Sequence, residues 1–140
     1  MSDQPTPTVV PFISYRDAAT AIDFLVRGFG FTEQDRITDA DGRIVHATLS
    51  LGEGLIYLAE LGNSYQGPKL HAESCEQARQ WLDTPYIVDG TFVLVDDIHE
   101  HYERAAAAGA DMLSDIEESG VGTLYRTADP EGHRWMFCNR

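Results

Sequence analysis

The chain has 140 residues, a length that supports one hydrophobic core, and its 43% hydrophobic content is that of globular proteins, not of disordered or disulfide-scaffold chains. It carries 23 aspartates and glutamates against 10 lysines and arginines, a formal net charge of −13. A field of that sign repels nucleic-acid phosphates and anionic lipid headgroups, so we expect neither nucleic acid nor a membrane surface as a partner.

The first half of the chain predicts one strand, one helix and three further strands. Residues 9–15 are apolar and β-prone. Asp17 then offers an N-cap to a helix whose apolar residues recur at helical spacing and which ends near Gly30. Turn residues separate the three predicted strands, at 31–38, 43–51 and 55–60.

The middle of the chain, residues 61–89, is predicted to be a linker. It opens with loop signals at Gly62-Asn63-Ser64 and Gly67-Pro68, and its pattern then favours a short helix near residues 73–82. We therefore expect no separate domain there.

The second half repeats the order of elements of the first. A predicted strand at residues 91–95 is followed by a capping Asp97 and a helix that ends at Gly109. Three predicted strands follow, at 111–116, 123–127 and 133–139. An offset of 80 positions aligns Phe12 with Phe92. The chain is thus predicted to be one α+β domain, residues 1–140, with βαβββ modules at 9–60 and 90–140.

Several segments together carry a family resemblance. They are the helix opened by Asp17, the Ala-Ala-Gly-Ala that ends at Ala110, and the stretch from Gly122 through Asp129-Pro130-Glu131-Gly132 to Trp135. In these segments the chain resembles the vicinal oxygen chelate superfamily of glyoxalases, bleomycin-resistance proteins and extradiol dioxygenases, over about residues 9–60 and 88–140. The resemblance implies two curled, half-barrel mixed sheets around a cup, and a homodimer.

In the enzymes of that superfamily, positions on the first and fourth strands of each module hold a divalent metal. By resemblance these positions fall near Val10, at Tyr57 or Leu58, near Gly90 or Thr91, and at Met136. Such metals prefer imidazole nitrogen and carboxylate oxygen, which these residues do not supply. We therefore expect no metal and no other cofactor.

Other side chains could rebuild a metal site elsewhere. The best remaining donors are His46, Glu60 and His133, with Glu60 expected at the rim of the cup. The pair His99 and His101 is two residues apart on a helix, a spacing that points the rings in different directions, so we expect a solvated helix face there. Cys75 and Cys138 are 63 positions apart and predict no disulfide framework.

The predicted cup wall is aromatic and apolar with a few polar groups, as small-molecule sites usually are. Trp135 and Phe137, on the alternate face of the last strand, are expected in the core. The candidate ligand-binding residues are Phe12, Ser14, His46, Tyr57, Glu60, Phe92, Leu94, Arg134 and Met136.

Three functional hypotheses remain open from the sequence. The preferred one, patterned on the bleomycin-resistance branch, is metal-independent binding or sequestration of an aromatic or cationic small molecule, in the cup or at a dimer groove. The second is a metal-dependent glyoxalase-like or dioxygenase-like enzyme with relocated ligands, and the third is a ligand-free structural or regulatory dimer. The N-terminal residues lack the pattern of a signal peptide, so we expect a cytoplasmic protein.

Overall fold

The computed structural model describes residues 6–84 and 89–140, and it contains two mixed β-sheets. Sheet A has the strand order β1 (Phe12–Tyr15), β4 (Gly54–Glu60), β3 (Ile44–Leu51), β2 (Thr32–Thr38). Sheet B has the order β5 (Thr91–Val95), β9 (Arg134–Asn139), β8 (Gly122–Ala128), β6 (Asp111–Met112), and β7 (Glu117–Ser119) also pairs with β8. In each sheet the first strand runs parallel to the last and the other pairings are antiparallel. The predicted α+β class is confirmed.

One helix follows the first strand of each sheet. Helix α1 (Ala18–Phe24) continues into a single π-helical turn (Leu25–Phe29), and the cap at its start is the side chain of Asp17, which accepts the Thr20 N–H at 3.2 Å. Helix α4 (Ile98–Ala107) is capped in the same way by Asp97. None of the helices in the described ranges is long and apolar enough to cross a bilayer.

The segment between the sheets differs from the prediction of one short helix near residues 73–82. A 3₁₀ turn (Gly62–Ser64) is followed by two helices, α2 (Pro68–Ser74) and α3 (Glu76–Trp81). Cys75 separates them because its backbone is extended, with φ −137° and ψ 113°.

The predicted strand at residues 111–116 is also interrupted. It forms β6 and β7, with an irregular stretch between them. The N–H groups of both Leu113 and Ser114 donate to the one carbonyl of Arg126, at 2.9 and 3.2 Å. Two residues therefore face a single partner on β8, which breaks the regular ladder as a bulge does.

A shared aromatic core joins the two sheets. Phe29, at the end of the π-helical turn, lies edge-on to Trp135 at 5.4 Å and to Phe137 at 4.7 Å between ring centroids. All three side chains are fully buried, as expected for Trp135 and Phe137 from strand alternation. Burial of this face leaves the opposite face of each sheet for the candidate site.

Candidate functional site

The face of sheet A opposite the core carries four of the predicted site residues. Phe12 is 60% exposed and lies directly beside Tyr57 in the parallel register of β1 and β4, and Ser14 follows on the same face. The ring of His46 is 4.9 Å from that of Tyr57, and its Nε2 is 3.0 Å from the Thr48 hydroxyl. The alternate residues of these strands, Ile13 and Leu58 among them, are buried.

Sheet B carries a matching arrangement. Phe92, 45% exposed, pairs with Met136, and Leu94, 46% exposed, pairs with Cys138. Arg134 precedes Met136 by two residues and so lies on the same face. Each sheet therefore presents a phenylalanine on its first strand beside a large side chain on its last strand.

A cavity of about 370 Å³ runs along the two edges where β1 and β5 approach each other. We call it the sheet cavity; Phe12, Ser14, Thr91 and Arg134 are among its lining residues. Phe92 and Leu94 line a neighbouring groove of about 320 Å³ together with Val9. The structure thus brings Phe12, Ser14 and Arg134 together, while His46 and Tyr57 lie further across sheet A.

A second cavity, of about 170 Å³, lies between the segment that connects the sheets and the start of β9. We call it the linker cavity. Its walls include Tyr65, His71, Ala78 and Trp81 from the connecting segment. Four residues line both cavities: Tyr65, Asp89, His133 and Arg134.

These linker residues were not among the predicted site residues. The sequence predicts only a linker with a short helix at residues 61–89, although Tyr65 and Trp81, two of its three aromatic residues, are a visible signal. What places them is the docking of α2 against the turn that precedes β9, a tertiary contact in which the Lys69 N–H donates to the Glu131 carbonyl at 3.1 Å.

The three candidate donors for a relocated metal site each contact different protein groups. The carboxylate of Glu60 accepts the Ala18 N–H at 3.2 Å and so caps helix α1, on the core side of β4. His133 Nε2 lies 2.7 Å from the Ser14 carbonyl oxygen, to which it must donate because a carbonyl only accepts. His46 contacts Thr48 and Tyr57.

The residues at the superfamily's metal positions do not fit a divalent cation. Val10, Leu58 and Gly90 offer no side-chain donor. The alternatives Tyr57 and Thr91 offer only hydroxyl oxygens, and Met136 offers a thioether. Within residues 6–84 and 89–140, no three histidine, cysteine, aspartate or glutamate side chains cluster closely enough to hold a metal.

Burial and charge shift the pKa values of two residues in the shared wall, the set of four residues that line both cavities. Burial raises the pKa of the Tyr65 phenol, and the carboxylates of Glu131, Asp129 and Asp89 raise it further. Burial lowers the pKa of the Arg134 guanidinium, whose Nη1 donates to the Thr84 carbonyl at 2.7 Å. The wall therefore combines a neutral phenol with a partly desolvated cation.

His101 was expected on a solvated helix face, and the structure corrects this. Its Nδ1 lies 2.5 Å from the Tyr125 hydroxyl and its Nε2 2.8 Å from the Phe29 carbonyl oxygen. Because the carbonyl can only accept, Nε2 carries the proton and Nδ1 accepts from Tyr125. His101 thus connects α4 to both sheet B and the π-helical turn.

Sequence comparison finds relatives that span most of the chain. The family model of the Glyoxalase/Bleomycin resistance protein/Dioxygenase superfamily matches residues 8–137. An uncharacterized protein of Mycobacterium tuberculosis is 30% identical over 132 residues, which are 94% of this chain and 73% of that protein.

Structure comparison finds proteins of similar architecture. TioX from Micromonospora sp. ML1 aligns with a TM-score of 0.66 and 33% identity, over 91% of this chain and 94% of TioX. The bleomycin-binding protein of bleomycin-producing Streptomyces verticillus, solved with copper(II)-bleomycin, aligns with a TM-score of 0.61 and 17% identity, over 100% and 99% of the two chains. TnmS3, an antibiotic binding protein from a Streptomyces species, aligns with a TM-score of 0.62 and 16% identity, over 97% and 98%. At such identities the last two likenesses establish a common fold.

Proposed function

Since the chain belongs to the Glyoxalase/Bleomycin resistance protein/Dioxygenase superfamily, we propose that it binds an aromatic small organic molecule on the exposed faces of its sheets, without a metal ion. The observation that carries this proposal is the pair of exposed phenylalanines, Phe12 and Phe92, at the same position of the first strand in each sheet.

An exposed phenylalanine beside a second large side chain, repeated in both sheets, is a surface suited to binding a ligand. Phe12 lies beside Tyr57, and Phe92 lies beside Met136, so each sheet offers a flat apolar contact next to a polarisable one. Aromatic rings and thioethers stack favourably on the rings of a ligand. Contiguous apolar surface on a globular protein commonly marks a binding site.

We further propose that the biological role is sequestration, in which the protein binds the molecule and does not convert it chemically. Two of the structural neighbours are described as a bleomycin-binding protein and an antibiotic binding protein, which supports this role at the level of the superfamily. The net charge of −13 would attract a cationic ligand, and the aromatic faces would contact its charge.

A homodimer is part of the same proposal. The exposed apolar side chains Val9, Phe12, Phe92 and Leu94 lie where a second copy could cover them and complete the walls around a ligand. Sedimentation equilibrium tests this: a species of twice the 15.6 kDa chain mass is expected, and a monomer at micromolar concentration contradicts it.

The ligand-binding proposal is tested with a matched pair of fluorescent rings, cationic 9-aminoacridine and anionic 9-anthracenecarboxylate. We expect the cation to bind the metal-free protein more tightly. Phe12→Ala and Phe92→Ala should each weaken its binding about 10-fold, because each removes a stacking surface. Val121→Ala, at an exposed residue in the turn between β7 and β8 and outside both cavities, is the control.

Two results would contradict the proposal. One is unchanged affinity in both phenylalanine variants. The other is near-stoichiometric metal in protein purified without chelators or a histidine tag, combined with loss of binding when that metal is removed.

A further inference from the structure

We propose that the linker cavity is the specificity pocket of the site proposed above, and that it accepts one planar aromatic ring bearing a neutral carbonyl group. This inference rests on the proposed function and adds the chemical class of the group that is recognised. It uses residues of the connecting segment, which lie outside the exposed sheet faces.

The size of the cavity sets the size of the group. Its volume is about 170 Å³. An apolar protein cavity of roughly 150 Å³ is known to hold one benzene molecule. The linker cavity therefore has the volume for a single six-membered ring with a small substituent.

The walls of the cavity suit a flat ring. Trp81, Leu82 and Ala78 from α3 and its C-terminal end supply apolar surface. The Tyr65 ring is stacked almost parallel to that of His133, with an interplanar angle of 6° and a centroid distance of 6.2 Å. An aromatic ligand would meet these surfaces by apolar contact and stacking.

Close backbone packing holds the connecting segment in place. A Cβ at Gly132 would lie 2.6 Å from the Lys69 nitrogen, and a Cβ at Gly67 would lie 2.7 Å from the Glu131 oxygen. Helix α2 and the turn before β9 thus approach each other as closely as glycine permits at both contacts. This packing fixes the start of α2, on the segment that lines the cavity.

Arg134 supplies the polar recognition. One of its five N–H groups donates to the Thr84 carbonyl, and among the described residues it makes no ion pair. The partly buried guanidinium therefore keeps donors for a ligand, and Arg134 lines both cavities. A carbonyl oxygen on the bound ring is the matching acceptor.

The surrounding charges favour a neutral acceptor over a carboxylate. Asp89 lies on the wall shared by the two cavities. Its carboxylate, together with those of Glu131 and Asp129, acts electrostatically on Tyr65 in the same wall. An anionic ligand would be repelled by these groups and by the net charge of −13, whereas a carbonyl keeps the hydrogen bond to Arg134 without that repulsion.

The linker cavity adjoins the sheet cavity, which is part of the proposed binding surface. Arg134, His133, Tyr65 and Asp89 line it and also the sheet cavity, which Phe12 borders. A larger molecule could therefore rest its main ring system on the sheets and insert one terminal ring between the helices. This arrangement predicts that ligands lacking such a ring bind more weakly.

The test uses benzamide and benzoate, which share one ring and differ in charge, followed by ¹H–¹⁵N NMR of the indole N–H of Trp81. We expect saturable shifts with benzamide in the millimolar range and at least 10-fold weaker binding of benzoate. The buried indole of Trp135 serves as an internal reference for the fold.

Two variants locate the ring. Ala78→Phe places a benzene ring in the cavity and should abolish the benzamide shifts, whereas Ala107→Phe, at an exposed site on α4, should leave them unchanged. Arg134→Met removes the donors and should weaken benzamide about 10-fold. If Ala78→Phe fails to fold, the Arg134 variant decides the outcome.

The inference is overturned if benzamide does not shift Trp81, if Ala78→Phe binds it as well as the wild type, if Arg134→Met binds it unchanged, or if benzoate binds equally well. Failure of this inference can be distinguished from failure of the proposed function. The acridine experiment depends on Phe12 and Phe92, so it can succeed while the benzamide experiment fails.

Discussion

The phenol of Tyr15 donates a 2.6 Å hydrogen bond to the carboxylate of Asp129, 114 positions later in the chain. The same carboxylate oxygen accepts the Trp135 indole N–H at 3.2 Å, and the other oxygen accepts the N–H groups of Glu131 and His133. Burial, followed by the charge and hydrogen bond of Asp129, raises the pKa of Tyr15 well above its usual range. One carboxylate therefore joins β1 of sheet A to the turn that opens β9.

Replacing this carboxylate by an amide tests that junction. Asp129→Asn should lower the free energy of unfolding by about 3 kcal/mol, because all four groups around it donate and an amide nitrogen cannot accept from them. Urea denaturation followed by fluorescence measures the change.

Asp39 provides the control for Asp129. Its Oδ1 accepts the N–H groups two and four residues later, as Asp129 does, but Asp39 is exposed. Asp39→Asn should therefore change stability by less than about 1 kcal/mol. Equal effects at the two positions would show that the local turn alone, and not the contact between sheets, accounts for the stabilisation.

The turn glycines give a second matched pair. Gly132 and Gly42 both have positive φ angles, 93° and 84°. A Cβ at Gly132 would meet the Lys69 backbone, whereas a Cβ at Gly42 has no atom within 4 Å. Gly42→Ala should cost about 1 kcal/mol for the backbone conformation alone, and Gly132→Ala at least about 3 kcal/mol.

The same two glycine variants test whether the position of α2 affects ligand binding in the linker cavity. Gly132→Ala should also weaken benzamide binding at temperatures where the variant is still folded, because α2 must move away from the turn. Gly42→Ala should leave that binding intact. An unaltered benzamide affinity in folded Gly132→Ala would contradict the role given to this contact.

The stability of the protein should depend on pH through His101. Burial lowers the pKa of this imidazole, so the folded protein keeps it neutral at pH values where the unfolded chain, with a pKa near 6.5, binds a proton. Unfolding therefore takes up a proton as the pH falls below about 7. This proton uptake should reduce the free energy of unfolding by at most about 1.4 kcal/mol for each unit by which the pH falls, until the pKa of His101 in the folded state is reached.

Two glutamine variants isolate this effect. His101→Gln removes the titrating group and should flatten the difference in stability between pH 7.5 and pH 5.5. His99→Gln, at an exposed position on the same helix, should keep the wild-type profile. Urea denaturation across this pH range gives the slopes, and parallel profiles for wild type and His101→Gln would refute the assignment.

Substitutions of a buried and an exposed aromatic residue should separate stability from binding. Trp135→Ala should lower the free energy of unfolding by about 3 to 5 kcal/mol, because its fully buried ring packs against Phe29 and Phe31. Phe12→Ala, at a 60% exposed residue, should change stability by no more than about 0.5 kcal/mol. The ligand affinity of the two variants, measured below their unfolding transitions, should follow the opposite order.

Local sequence signals were sufficient for most of the architecture. Asp17 and Asp97 predicted both helix starts, because a side-chain cap and the apolar spacing after it are properties of a few adjacent residues. Strand alternation likewise predicted that Trp135 would be buried. The break at Cys75 and the interruption between β6 and β7 were missed, because each depends on backbone contacts or conformations that residue type does not specify.

The sequence by itself determined the repeated α+β pattern, the capped helices and the aromatic residues at matching positions of the two sheets. Only the tertiary structure decided which of these residues share a cavity. It placed Glu60 at the N-terminus of helix α1 and His101 between sheet B and the π-helical turn, and it placed Tyr65, Trp81 and Arg134 around one cavity. The physical reason is that periodicity fixes the face of an element on which a residue lies, whereas the docking of one element against another depends on contacts between residues far apart in the chain.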